Sequence, residues 1–214
     1  MLADLLDLVL PTHCVCCRRP GPVWCAGCRP DSRGEVVSPA AGPPVHAAAE
    51  YIDGLRTALL CYKERGVRGL AAPLADYLGD AVDSVRRATA GPGRPVLVPV
   101  PSVRAAARRR GGDHVRRLGV LVARQSRLEL LPMLRLAGRV ADSAGLSVAQ
   151  RASNLDHRML AWPAGLAGNR RPVIILDDIV TTGSTLTEAH RALRAAGWPV
   201  AGAAVIGWTR RRVA

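Results

Sequence analysis

The stretch VIILDDIVTTGSTLTEAH, Val173 to His190, joins four aliphatic residues to two adjacent aspartates, Asp177 and Asp178, and then to hydroxyl residues around Gly183. Thr181, Thr182, Gly183, Ser184 and Thr185 immediately precede a predicted helix. A helix start offers unpaired N–H groups and the positive end of the dipole, which together favour an anion. Gly183 lets the backbone approach a ligand closely, and the hydroxyls add donors. Two carboxylates beside such a loop would repel a phosphate at contact, so they must face another part of the same ligand. Neighbouring sugar hydroxyls suit a carboxylate, which accepts two hydrogen bonds side by side. A ribose carrying a 5′-phosphate satisfies both halves.

Two different roles compete for these residues. An aliphatic strand ending in aspartate also occurs in P-loop enzymes, where it holds Mg²⁺. Those need G-x-x-x-x-G-K-[ST], and the one lysine here, Lys63, lies in CYKERG, so a P-loop is excluded. An ordinary strand-to-helix turn accounts for Thr185 and Glu188 as a capping box. It does not account for the aspartate pair.

A second chemical cluster is Cys14-x-x-Cys17 and Cys25-x-x-Cys28. Paired C-x-x-C turns suit tetrahedral thiolate coordination of Zn²⁺, and in a cytosolic protein zinc is favoured over disulfides. Cys16 or His13 is an alternative for one ligand, and Cys61 reads as a buried thiol on the apolar face of a helix.

These residues need elements to hold them. The N-terminal MLADLLDLVL suits an amphipathic helix through Leu2, Leu5, Leu6 and Val9, and its Asp4 and Asp7 argue against a secretory leader. Residues 31–45 read as a linker. A helix is predicted where Ile52, Leu55, Ala58, Leu59 and Tyr62 share a face, and another at about 70–88. VLVPV and LELLPML are strand candidates, with a basic loop between them leading to a helix that starts near Asp113. PVIIL is a strand, TLTEAHRALRAAG a helix with Gly197 at its C-cap, and VAGAAVIGWT a last strand. Strands alternating with helices predict an α/β domain with a mainly parallel sheet over 46–214, behind an N-terminal helix, knuckle and linker in 1–45.

The 214 residues carry a formal charge of +13, all cations but Lys63 being arginine, and contain no phenylalanine. Such a surface attracts polyanions without selecting one. No apolar run reaches the ~20 residues of a membrane span, so a cytoplasmic protein is expected.

VIILDDIVTTGST resembles the phosphoribosyl-pyrophosphate (PRPP) motif of type I phosphoribosyltransferases. With PTHCVCC…VWCAGC, YKERG, VPVPSVRAAARRRGGDHV and RVADSAGLSVAQRASNL, the chain resembles the ComF family of competence-associated proteins over nearly its full length. Arg108, Arg110, Gly111 and Asp113 match the family's basic segment, while Gly112 replaces an aromatic residue. Arg139, Gly145, Leu146, Arg151 and Asn154 match its long loop, while Ser143 replaces a glutamine.

The resemblance implies a Rossmann-like core and Mg²⁺–PRPP as donor of ribose 5-phosphate to a nitrogen base. It implies that Asp177 and Asp178 hold the ribose hydroxyls and that Thr181 to Thr185 cradle the 5′-phosphate. Arg104, Arg108, Arg109, Arg110, Arg139 and Arg151 are candidates to neutralise pyrophosphate or to line a loop closing over the site. Asp177 or Asp178 is also the candidate base. The alternative is a non-catalytic scaffold of DNA uptake, PRPP-regulated or binding single-stranded DNA or a helicase. An aromatic content of 3% leaves few stacking platforms for single strands.

Overall fold

In the computed structural model, residues 12–37, 42–89, 93–102, 112–137, 159–164 and 171–209 are described. The two apolar runs read as buried strands become neighbours at the centre of a sheet: β3 (Val96–Pro99) and β7 (Val173–Val180), paired in parallel from Val96↔Val173 to Pro99↔Leu176. Around them stand β1 (Glu35–Val37), β2 (Val45–Glu50), β4 (Glu129–Leu130) and β8 (Val200–Trp208), in the order β1-β2-β8-β7-β3-β4. Five of these strands are parallel, and β1 joins antiparallel at one edge. The expected mixed α/β architecture with a mainly parallel sheet is the one observed.

Alternation along the strands gives the sheet two buried faces. Leu97, Ile174, Leu176, Ala204 and Ile206 point to a layer formed by α1 (Asp53–Glu64), α2 (Ala71–Ala88) and α3 (His114–Ser126). Val96, Val98, Val173, Ile175 and Val205 point to α4 (Ser184–Ala195) and a small hairpin-like pair, β5 (Leu134–Leu136) with β6 (Met159–Ala161). Gly119 lets α3 settle onto the sheet, since a Cβ there would lie 2.9 Å from Leu130 Cδ1. Among the described residues no helix is long and apolar enough to cross a membrane.

Several local expectations shift. Residues 31–45 contain the edge strand β1, whose Val36 is 54% exposed, so no apolar period marks it. VHAAAE, buried at five of six positions, is the sheet strand β2. Its alanines carry no β-branched bias, and alanine by itself favours helix. Ile52 precedes α1 and is exposed rather than on its packed face. LELLPML is split: β4 pairs with β3, and after Pro132 the chain leaves the sheet for β5. Proline cannot donate to a ladder, so the strand ends there. The helices at 71–88 and 184–195 fall where periodicity puts them, and α3 starts after Asp113, whose side chain caps it. The N-terminal amphipathic helix expected at 1–10 lies outside the described residues.

Candidate functional site: an acid pair at the switch point of the sheet

From β3 the chain passes through α3 on one face of the sheet to β4, while from β7 it passes through α4 on the other face to β8. The two connections diverge, so a crevice opens between the carboxyl ends of β3 and β7. In open α/β sheets ligands bind at such a switch point.

Pairing with β3 ends at Leu176, while β7 continues beside β8 through Val180↔Trp208. Asp177 and Asp178 therefore lie inside β7, at the level where its β3 neighbour has ended, rather than after the strand as the sequence suggested. The two acids have different surroundings. Asp178 is 8% exposed, and its Oδ2 is 2.5 Å from Lys63 Nζ of α1 and 2.7 Å from His114 Nε2 of α3. Burial alone would raise its pKa, but the His114 hydrogen bond and the Lys63 ammonium outweigh that and hold the carboxyl well below the usual carboxylate range. Asp177 is half-buried, and its Oδ1 accepts from the Asp178 N–H at 2.8 Å. Burial and then the negative charge of Asp178 push Asp177 up to about 8. The pair thus holds one fixed charge and one acid that titrates near neutral pH.

The loop after the acids places Thr181 exposed and Thr182, Ser184 and Thr185 half-buried. Gly183 caps α4 with φ +81°, a left-handed conformation that glycine adopts without Cβ strain. The Ser184 N–H that opens α4 donates to Thr182 Oγ1 at 3.4 Å, while Gly183 itself has no side chain to offer. The capping box expected of Thr185 and Glu188 does not form: Glu188 is buried, accepts from Met159 N at 2.9 Å and pairs with Arg191 at 2.7 Å. It ties α4 to β6.

Lys63 and His114 are site residues that motif reading missed. Lys63 was visible as the one lysine among 30 cationic residues, and His114 directly follows the helix cap Asp113. Asp113 itself accepts from Arg116 N at 3.1 Å and from Ser102 N at 3.0 Å, drawing the end of β3 to the start of α3. Arg104, Arg108, Arg109 and Arg110, together with Arg139 and Arg151 and the long loop expected to close over the site, lie outside the described residues. A cavity of about 620 Å³ lined by Arg86, Arg87 and Arg94 opens at the opposite end of the sheet, beside Pro95, Pro172 and Pro199, and is separate from this crevice.

The four cysteines meet as the spacing predicted. Cys14, Cys17, Cys25 and Cys28 place their sulfurs within 4.8 Å of one another. Thiolates at ~2.3 Å from a tetrahedral metal would be separated by roughly 3.8 Å, and Cys17 Sγ to Cys25 Sγ is 3.7 Å. Burial opposes ionisation of Cys14, but the amides of Cys25, Cys17 and Cys16 more than offset it and bring the thiol down to about 6. Hydrogen bonding to Cys25 heads the causes that push Cys28 up to about 12, so the four cannot all ionise unless a cation joins them. The donor set fits zinc. Cys16 turns its thiol to the Gly54 carbonyl at 3.7 Å, and Cys61 is buried at 3% exposure.

No known protein family model matches the chain, and no curated protein matches it. Among solved structures it is similar to adenine phosphoribosyltransferase from Leishmania donovani, at 11% identity and a TM-score of 0.36 over 79% of this chain. The match spans 62% of that enzyme, so this chain covers less than two thirds of its length.

Proposed function

We propose that the crevice binds Mg²⁺–PRPP and that the chain is a phosphoribosyltransferase-like protein, transferring ribose 5-phosphate to a nitrogen base with release of pyrophosphate. One observation carries this reading: two acids at the switch point stand two residues before a turn of small hydroxyl residues that opens helix α4. Asp178, pinned as a carboxylate, accepts from a ribose hydroxyl. Asp177, on the same strand, binds the neighbouring hydroxyl and, titrating near neutral pH, is the better base toward an acceptor N–H. The N–H groups at Gly183 to Thr185 and the hydroxyls of Thr181, Thr182 and Ser184 hold the 5′-phosphate. The arginines at 104, 108, 110, 139 and 151 would offset charge on the departing pyrophosphate, to which Mg²⁺ bound to the substrate would add its own. Zinc in the four-cysteine knuckle is structural in this proposal, because all four positions are protein thiols and none is left for a substrate.

Calorimetric titration of the purified chain with Mg²⁺–PRPP tests it. Saturable binding that is lost in Asp177→Asn/Asp178→Asn is expected. A folded protein that does not bind ends the reading and leaves the scaffold of DNA uptake as the alternative. A nucleobase screen for pyrophosphate release then identifies the acceptor.

A further inference from the structure

Helix α1 touches the cysteine knuckle at its first turn and the acid pair at its last. At the first turn, Gly54 packs so close to the knuckle that a Cβ would lie 2.0 Å from the Cys28 carbonyl oxygen. The Gly54 carbonyl receives the Cys16 thiol, and Asp53 beside it sits at φ +42°, a backbone conformation that side chains rarely adopt. The knuckle's Trp24 is fully buried, stacks on Tyr77 of α2 with ring centroids 5.5 Å apart, and donates from Nε1 to Cys28 O at 3.1 Å. At the last turn, Lys63 reaches Asp178. Gly54 and Lys63 are about 14 Å apart along the axis at ~1.5 Å per residue. Between them Leu55, Ala58, Leu59 and Tyr62 are buried, so α1 cannot slide freely on its bed.

We infer that Lys63 is a positioning residue for Asp178 and that the cysteine knuckle, through α1, sets where Lys63 stands. Lys63 and His114 both hold Oδ2, fixing the carboxylate from two helices. An ammonium is a compact point charge on a flexible stem, whereas a guanidinium is a planar fork. In a chain whose other cations are all arginine, the lysine occupies a half-buried place where a single oxygen is gripped. The knuckle is then a buttress of the site rather than a separate binding module. This inference rests on the PRPP reading.

The test is calorimetry with Mg²⁺–PRPP on full-length wild type, Lys63→Met, Lys63→Arg and Gly54→Ala, with metal content and melting temperature measured on each. Wild type binds. Lys63→Met is expected to bind at least about tenfold more weakly, and Lys63→Arg to recover part of that loss. Gly54→Ala is expected to weaken binding at least about threefold while retaining one metal per chain. Should Lys63→Met melt below the assay temperature, Lys63→Gln, which keeps a donor toward Asp178, takes its place with the same expected direction. Wild-type affinity in Lys63→Met (or its replacement) overturns the role of Lys63, and wild-type affinity in Gly54→Ala overturns the role of the knuckle. A wild type that does not bind overturns the PRPP reading and this inference with it.

Discussion

The knuckle and the crevice solve the same problem, holding charged groups close together, by opposite means. The knuckle draws its four sulfurs from fifteen consecutive residues, Cys14 to Cys28, and closes on short-range hydrogen bonds such as Cys14 N to Arg19 O and Cys28 N to Cys25 O, both 3.0 Å. The crevice draws Lys63 from α1, His114 from α3 and Asp178 from β7, with 64 residues separating His114 from Asp178. A metal can hold the first together almost alone, whereas only a fully packed core assembles the second. Their shared element is α1, so disturbance of either is felt by the other.

Breaking the local half should have the largest effect. Cys25→Ser removes one of the four clustered sulfurs that could hold a metal and loosens the seat of Trp24; if zinc sits there, loss of bound metal with a melting temperature lower by about 10 °C or more is expected. Metal analysis and thermal denaturation check it. The distributed half breaks at Asp178→Asn, which leaves the Lys63 ammonium without its buried counter-charge; about 3 kcal/mol of destabilisation is expected, read by denaturant unfolding. Asp178 also predicts the acid limb. Its folded pKa is depressed, so its contribution is present above the ordinary value of 3.8 and is lost as pH falls below that.

Asp177→Asn has the opposite sign. The Asp177 carboxyl is raised to about 8, so its stabilising contribution is complete below the unfolded value of 3.8 and is lost as pH rises toward 8. The variant should match wild type below about pH 4 and exceed it by about 1 kcal/mol or more at pH 8. Equal curves at both pH values would mean that neither burial nor the charge of Asp178 raises the Asp177 carboxyl. The smallest effect is expected at Tyr62→Phe. The Tyr62 hydroxyl is buried with no hydrogen-bond partner among the described residues, so its removal should be neutral or stabilise by up to about 1 kcal/mol. A loss of stability would indicate that a bound water satisfies the hydroxyl.

The same contrast accounts for what could be read in advance. The cysteine set was legible because ligand spacing is a local property, and Asp177 through Thr185 because a strand, a turn and a helix start are contiguous. The sheet was legible from β3, β7 and β8, whose aliphatic runs leave no other place to go. The alanine-rich β2 was not, because its strand state is imposed by pairing with β8 rather than by its own preference. Neither were the partners of Asp178, since nothing in CYKERG or GGDHV says that their side chains converge on one oxygen. Glu188 was misread for the same reason: its spacing from Thr185 fits a cap, but its carboxylate holds the neighbouring strand β6.

That the acid pair is gripped by the sequence's one lysine has a practical corollary. An amine-selective acylating reagent finds a single side chain to modify, and it is the one lodged against Asp178. The extent of labelling at Lys63, read by mass spectrometry with and without added compounds, is therefore a built-in reporter of occupancy at the crevice, requiring neither a fluorophore nor a known acceptor.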